Sequence, residues 1–262
     1  MMTEVFSSGG GTQSAAICAL IIQGRLPRPD FVVIADTGRE RQTTWDYLDA
    51  VIRPQLAKVD LKVHRIGPEW SSVPTHGKNY LSHNGNSLLL PAFSSQSEPR
   101  SKLPGFCSNR WKAETIARFL SKELGVKPRF ARSWIGFSLD ESRRALNLMG
   151  TADYAAGKYR LPLIHDVPLR RQAAIREVER MGWPTPPRSA CWMCPNQSDG
   201  EWAALKRDSP GEFEAACLLE EEVRQVDPFA WFHTSCVSLA KVDFSPQADL
   251  FGEPCGSGHC FL

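Results

Sequence analysis

The chain has 262 residues, enough for one large α/β domain or one domain with a small appendage. Its net charge of +2 argues neither for nor against nucleic acid as a partner. No stretch approaches the roughly 20 apolar residues of a membrane span, and the N-terminus lacks a signal-peptide pattern. These features point to a cytoplasmic protein with no membrane partner, whose eight cysteines serve metal or thiol chemistry rather than disulfides.

In chain order, Thr3–Ser7 reads as a strand, followed by a glycine turn and an apolar helix from Ala15 to Ile22. Phe31–Ala35 is a short apolar run of the kind found in buried parallel strands. Arg41 to Lys58 has helical spacing, with Pro54 expected to bend or end it, and Leu61–Ile66 alternates as a third strand. Gly67 to Phe106 is rich in Ser, Pro, Asn and Gly and reads as a long loop. Ser108 to Leu124 is a predicted helix with Ser108 as cap and Gly125 as stop. Phe130–Gly136 and Tyr159–Ile164 read as the fourth and fifth strands. Leu169–Met181, ending at Gly182, then Ser198–Lys206 and Glu212–Val226 read as helices, and the remainder as irregular. Strands alternating with helices predict a doubly wound, mainly parallel five-stranded α/β sheet. The expected division is a nucleotide-binding domain over 1–182 and a cysteine-bearing C-terminal appendage over 183–262 packed on it.

Five groups of residues carry chemistry. Ser8-Gly9-Gly10-Gly11-Thr12-Gln13-Ser14 joins the first strand to the first helix. Glycines there let backbone approach a ligand, and the amides opening a helix favour a phosphate. The plainer alternative is a glycine turn before a buried helix. Asp36-Thr37-Gly38 ends the second strand, where an acid and a glycine line a nucleotide or merely turn the chain. Gly136, Glu141, Ser142 and Arg144 follow the fourth strand and give either an anion-facing segment or a solvated helix start. Cys191 and Cys194 have C-x-x-C spacing and chelate one metal centre only with further ligands, of which Cys107 is the obvious third. At the tail, Cys255 and Cys260 are candidate nucleophiles, or a missing cluster ligand, or inert. Cys18 and Cys217 read as helix core.

Taken together, these segments resemble the adenine-nucleotide α-hydrolase (N-type ATP pyrophosphatase) superfamily, on its phosphoadenylyl-sulfate-reductase-like branch. The glycine loop is similar to S-G-G-x-D-S with Gln13 in place of Asp, and Asp36-Thr37-Gly38 is similar to that branch's V-D-T-G. Gly136, Glu141 and Ser142 match its G-x-R-R-x-E/Q-S segment, but Ser138 and Leu139 stand where arginines are common. Cys107 with Cys191 and Cys194 matches three of four cluster cysteines, Phe106 standing in the place of the fourth, and Glu253, Cys255, Gly256 and His259 resemble the E-C-G-L-H tail.

The resemblance implies a HUP (Rossmann-like) fold, ATP with Mg²⁺, and a [4Fe–4S] cluster, with zinc as the alternative metal. It implies an enzyme that adenylates a substrate for sulfur transfer. The acceptor would be nucleic acid, either a tRNA base or a DNA backbone, and the sulfur donor a protein such as a cysteine desulfurase. Two alternatives stay open: a sulfonucleotide reductase releasing sulfite through a tail cysteine, and a non-catalytic nucleotide-binding accessory subunit.

Overall fold

The computed structural model describes residues 2–71, 88–96 and 98–245. Its elements begin with β1 (Thr3–Ser7), α1 (Thr12–Ile22), β2 (Phe31–Ala35), α2 (Gln42–Tyr47), α3 (Arg53–Ala57) and β3 (Val63–Ile66). There follow β4 (Ala92–Ser94), β5 (Ser101–Leu103), α4 (Glu114–Lys122), β6 (Ala131–Trp134), α5 (Ser142–Met149), α6 (Ala152–Ala155) and β7 (Tyr159–Arg160). The chain continues through α7 (Arg171–Arg180), α8 (Asp199–Asp208), α9 (Pro210–Val226) and β8 (Ala230–Trp231).

Two compact units emerge. One is the described part of Met1–Ser72 with Trp111–Ser189, and the other the described part of Val73–Arg110 with Ala190–Leu262. The chain therefore enters the second unit twice, where the sequence suggested one boundary after residue 182. The cause is strand pairing: β4, from the stretch read as a long loop, is bonded on one side to β5 and on the other to the late strand β8.

The first unit is the predicted α/β fold. Its sheet has the order β3-β2-β1-β6-β7 with every neighbouring pair parallel. Side chains alternate across it, as the two-residue period of a strand requires. Phe6, Val32, Ile34 and Trp134 pack with α1 and α7 in one core, and Val5, Val33, Ala35 and Ile66 meet Ile116 and Leu120 of α4 in another. Helix α1 is buried from Ala15 through Ile21 on all sides, the state of a helix apolar around its whole girth.

Two expectations need correction. The fifth strand is only Tyr159–Arg160, because Pro162 lacks an N–H for the ladder and opens a π-helical turn to Asp166. The helix after β2 does not end at Pro54. A π-helical turn over Leu48–Ile52 precedes it, and the proline falls in the first turn of α3, where no N–H is missed.

In the second unit, α8 and α9 pack through Trp202 and Phe213, rings 6.4 Å apart and edge-on. The buried Glu220 carboxylate of α9 accepts the Phe232 and Leu239 amides, both at 2.8 Å, and so pins the segment after β8.

Candidate nucleotide-binding site

Strand order reverses at β1: β2 and β3 lie on one side, β6 and β7 on the other. In open parallel sheets the crevice at that reversal, beyond the strands' carboxyl ends, is where ligands bind. The glycine loop leaves β1 at this point, and Gly136 follows β6. A Cβ on Gly136 would stand 3.5 Å from Gln13 Cβ and 3.4 Å from Ile17, so the two segments line the crevice from facing sides.

The loop is folded by its own hydroxyls. Gly9 N–H donates to Ser14 Oγ at 2.9 Å and Gly10 N–H to Ser8 Oγ at 3.2 Å. The Gly9 and Gly10 amides are therefore used within the loop itself. Gly11 caps α1 without a side chain, and the first intrahelical bond runs from Ala15 N–H to Gly11 at 2.9 Å. Among the described residues no acceptor meets the Gly11, Thr12, Gln13 or Ser14 amides. They remain as donors at the positive end of an eleven-residue helix.

Two of the glycines are required by space. Gly10 has φ +76°, and a Cβ there would lie 2.6 Å from Thr44 Cγ2 and 3.2 Å from Ile34 Cδ1. At Gly11 a Cβ would meet both the Cβ and the backbone nitrogen of Ser189 at 3.0 Å. Ser189 Oγ donates to Gly9 O and lies 2.8 Å from Glu40 Oε1, while Lys112 Nζ is 3.2 Å from Glu40 Oε2. Glu40 is thus a buried acid binding the end of the Pro-rich segment to the loop.

Asp36 turns the chain. Its Oδ1 accepts the Gly38 N–H at 2.7 Å, a turn with Gly38 at φ +68°, and its Oδ2 takes Arg65 Nε and Nη2 at 2.8 and 2.6 Å. The Arg65 guanidinium stacks 3.8 Å from the Trp45 ring. Thr37 Oγ1 accepts the Arg39 N–H at 3.3 Å. Both Asp36 oxygens are therefore engaged within the protein.

After β6, Glu141 is a hub. Its Oε2 accepts Gln13 Nε2 at 3.2 Å and the Ser138 N–H at 3.3 Å, and its Oε1 pairs with Arg144. Arg144 also lies 4.5 Å from the Phe137 ring. The structure brings Gln13, Gly136, Glu141 and Arg144 together, with Ser142 opening α5 beside them. Sequence reading missed Glu40, Thr44, Lys112 and Ser189. The run Arg39-Glu40-Arg41-Gln42-Thr43-Thr44 after the glycine was the available signal, since polar residues at a strand's carboxyl end are well placed for a ligand.

The cysteines give a different result. Cys107, Cys191 and Cys194 all belong to the second unit and form no disulfide. Cys194 N–H donates to Cys191 O at 3.0 Å, closing a turn, and Cys107 N–H donates to Leu89 O at 3.0 Å. Among the described residues no three His, Cys, Asp or Glu side chains gather as a metal-holding group. A cluster or zinc ion held by Cys107, Cys191 and Cys194 therefore stays an implication of the motif resemblance, and no step is routed through it. Cys255 and Cys260 lie outside the described residues. Cys18 is core, as expected, and burial pushes its thiol up to about 12. Cys217 is only partly buried, though burial and then the nearby Glu220 carboxylate raise its thiol to about 11.

A cleft of about 300 Å³ opens elsewhere in the first unit, at the β7 edge, between Arg132, Tyr154, Arg160 and His165. Its arginines are already matched, Arg160 by both oxygens of Asp166 and Arg132 by Glu4, so it offers an anion little.

The chain matches no protein-family model and no curated protein. Among solved structures it is similar to the U34-tRNA thiolase NcsA from Methanococcus maripaludis with its [4Fe-4S] cluster, at 15% identity and TM-score 0.40, over 86% of this chain and 72% of that one.

Proposed function

We propose that this chain is an ATP-cleaving enzyme that seats the nucleotide phosphates on the α1 N-terminus and activates an acceptor for sulfur transfer. The observation carrying this reading is the row of unmatched amides from Gly11 to Ser14 at the point where strand order reverses. An acceptor oxygen attacks the α-phosphorus, the bond to the bridging α–β oxygen breaks, and pyrophosphate leaves with the electron pair. The helix amides take up the charge that develops on that leaving group. A sulfur nucleophile then displaces AMP from the adenylated acceptor. Magnesium ion travels with ATP as its usual counter-charge.

Nucleic acid as acceptor, a base in tRNA or the DNA backbone, and a cysteine desulfurase as sulfur source follow from the motif resemblance. Within the chain, Gln13, Gly136 and Glu141 shape the crevice wall facing the loop, and Glu141 holds the Arg144 guanidinium beside it.

Calorimetry with ATP, followed by chromatography of the products formed with tRNA and with DNA, tests the reading. The expected result is ATP binding and acceptor-dependent AMP with pyrophosphate rather than ADP. ADP as the product, or sulfite released from adenylyl sulfate in the presence of thioredoxin, would replace this function with another.

A further inference from the structure

We infer that the Thr44 hydroxyl is a ligand-binding group of the glycine-loop site, donating to an oxygen of a pyrophosphate group; this rests on the reading that the loop binds phosphate. Thr44 is 0% exposed, and its Oγ1 has no hydrogen-bond partner among the described residues. A hydroxyl buried in that state is destabilising, and valine would fill the same space without that cost. A threonine in a helix ordinarily returns its hydroxyl to a carbonyl one turn back. Thr44, in the first turn of α2, does not.

Its position supplies the reason. Thr44 Cγ2 lies 2.6 Å from where a Gly10 Cβ would stand, and Oγ1 branches from the same carbon as that methyl. The unmatched hydroxyl is therefore next to the loop whose following amides are also unmatched. Two independent sets of unused donors, one a side chain on α2 and one the α1 backbone, thus both adjoin Gly10. A polyanion satisfies both. Gly10 packs against Thr44, so a ligand reaches the hydroxyl when the loop shifts. The Gly10 amide is held to Ser8 Oγ only by a 3.2 Å bond, and two adjacent glycines bend at small cost.

Pyrophosphate and ATP are titrated calorimetrically into the full-length wild type and into Thr44→Val and Thr44→Ser, with thermal midpoints measured without ligand. Thr44→Val is expected to weaken both ligands about tenfold while leaving the ligand-free midpoint unchanged or higher, since it removes only an unmatched donor. Thr44→Ser keeps the hydroxyl and is expected to retain most of the affinity. Should Thr44→Val not fold, Thr44→Ala carries the same comparison. Unchanged pyrophosphate affinity in a folded variant lacking the hydroxyl would overturn the inference. So would a clear fall in the ligand-free midpoint of Thr44→Val alone, because the hydroxyl would then be structural. Failure of the wild type to bind either ligand would instead overturn the loop reading, and this inference with it.

Discussion

Gln13 Nε2 lies 3.2 Å from Glu141 Oε2, joining the first turn of α1 to the segment after β6 across 128 residues of sequence. The same carboxylate holds the Ser138 amide and the Arg144 guanidinium. One acid therefore fixes both walls of the crevice.

Glu141→Ala strands three donors at once. A loss of about 1–2 kcal/mol in stability is expected by urea denaturation, from hydrogen bonds partly open to water. In a double-mutant cycle, Gln13→Ala and Glu141→Ala are expected to couple by about 0.5–1 kcal/mol. Strict additivity would mean that the contact does not join the two segments in solution.

Gly10→Ala puts a methyl 2.6 Å from Thr44 Cγ2 and at φ +76°. The strain of that backbone region for an L residue is about 1–3 kcal/mol, with the clash in addition. ATP binding measured on the folded fraction is expected to be lost. Gly11→Ala, where the 3.0 Å neighbours include backbone, is expected to behave likewise, because Ser189 N cannot retreat as a side chain does.

Glu40 joins Lys112 and Ser189 beside the loop. Its side chain is 2% exposed but that of Lys112 is 35%, so solvent softens the loss of their pairing. Glu40→Ala is expected to cost about 1–2 kcal/mol in chemical denaturation and to loosen the loop, lowering ATP affinity. A variant as stable and as tight-binding as wild type would remove Glu40 from the site's support.

Burial holds the Cys18 thiol up to about 12, and burial followed by the Cys18 charge holds the Tyr47 phenol up to about 12. The unfolded chain therefore releases these protons at lower pH than the folded one. Stability is full below the ordinary thiol range and falls as pH rises toward 12, with a slope of up to roughly 1.4 kcal/mol per unit for each group. Cys18→Ala is expected to flatten this alkaline limb in a series of urea midpoints. At pH 8 the folded protein is expected to leave Cys18 unalkylated by iodoacetamide, and the urea-unfolded protein to be alkylated there, as peptide mass mapping would show.

The sequence disclosed the parts of the fold that depend on apolar runs bounded by turn residues. Phe31–Ala35 is a strand to the residue, and the stops at Gly125 and Gly182 have φ of +65° and +72°. The small antiparallel sheet escaped notice because its strands are two or three residues long and carry Ser and Lys, too short for any period to show. For the site, the loop and the Gly136–Arg144 segment were legible because glycines and charges stand out locally. Glu40, Thr44 and Ser189 were not, because their role is fixed by contacts made only after the sheet has formed. The partner of Asp36 was equally hidden, because Arg65 sits on the neighbouring strand, at a distance no local pattern reports.

The pairing of β4 with β8 makes the second unit indivisible at the level of the gene. A fragment beginning at Ala190 would carry β8 without the strand it bonds to, and a fragment ending at Ser189 would carry β4 and β5 with an unpaired edge. Dissection by truncation would therefore yield two sticky pieces rather than two domains. A separable second unit would need residues 73–110 joined to 190–262, and the first unit a linker in place of 73–110.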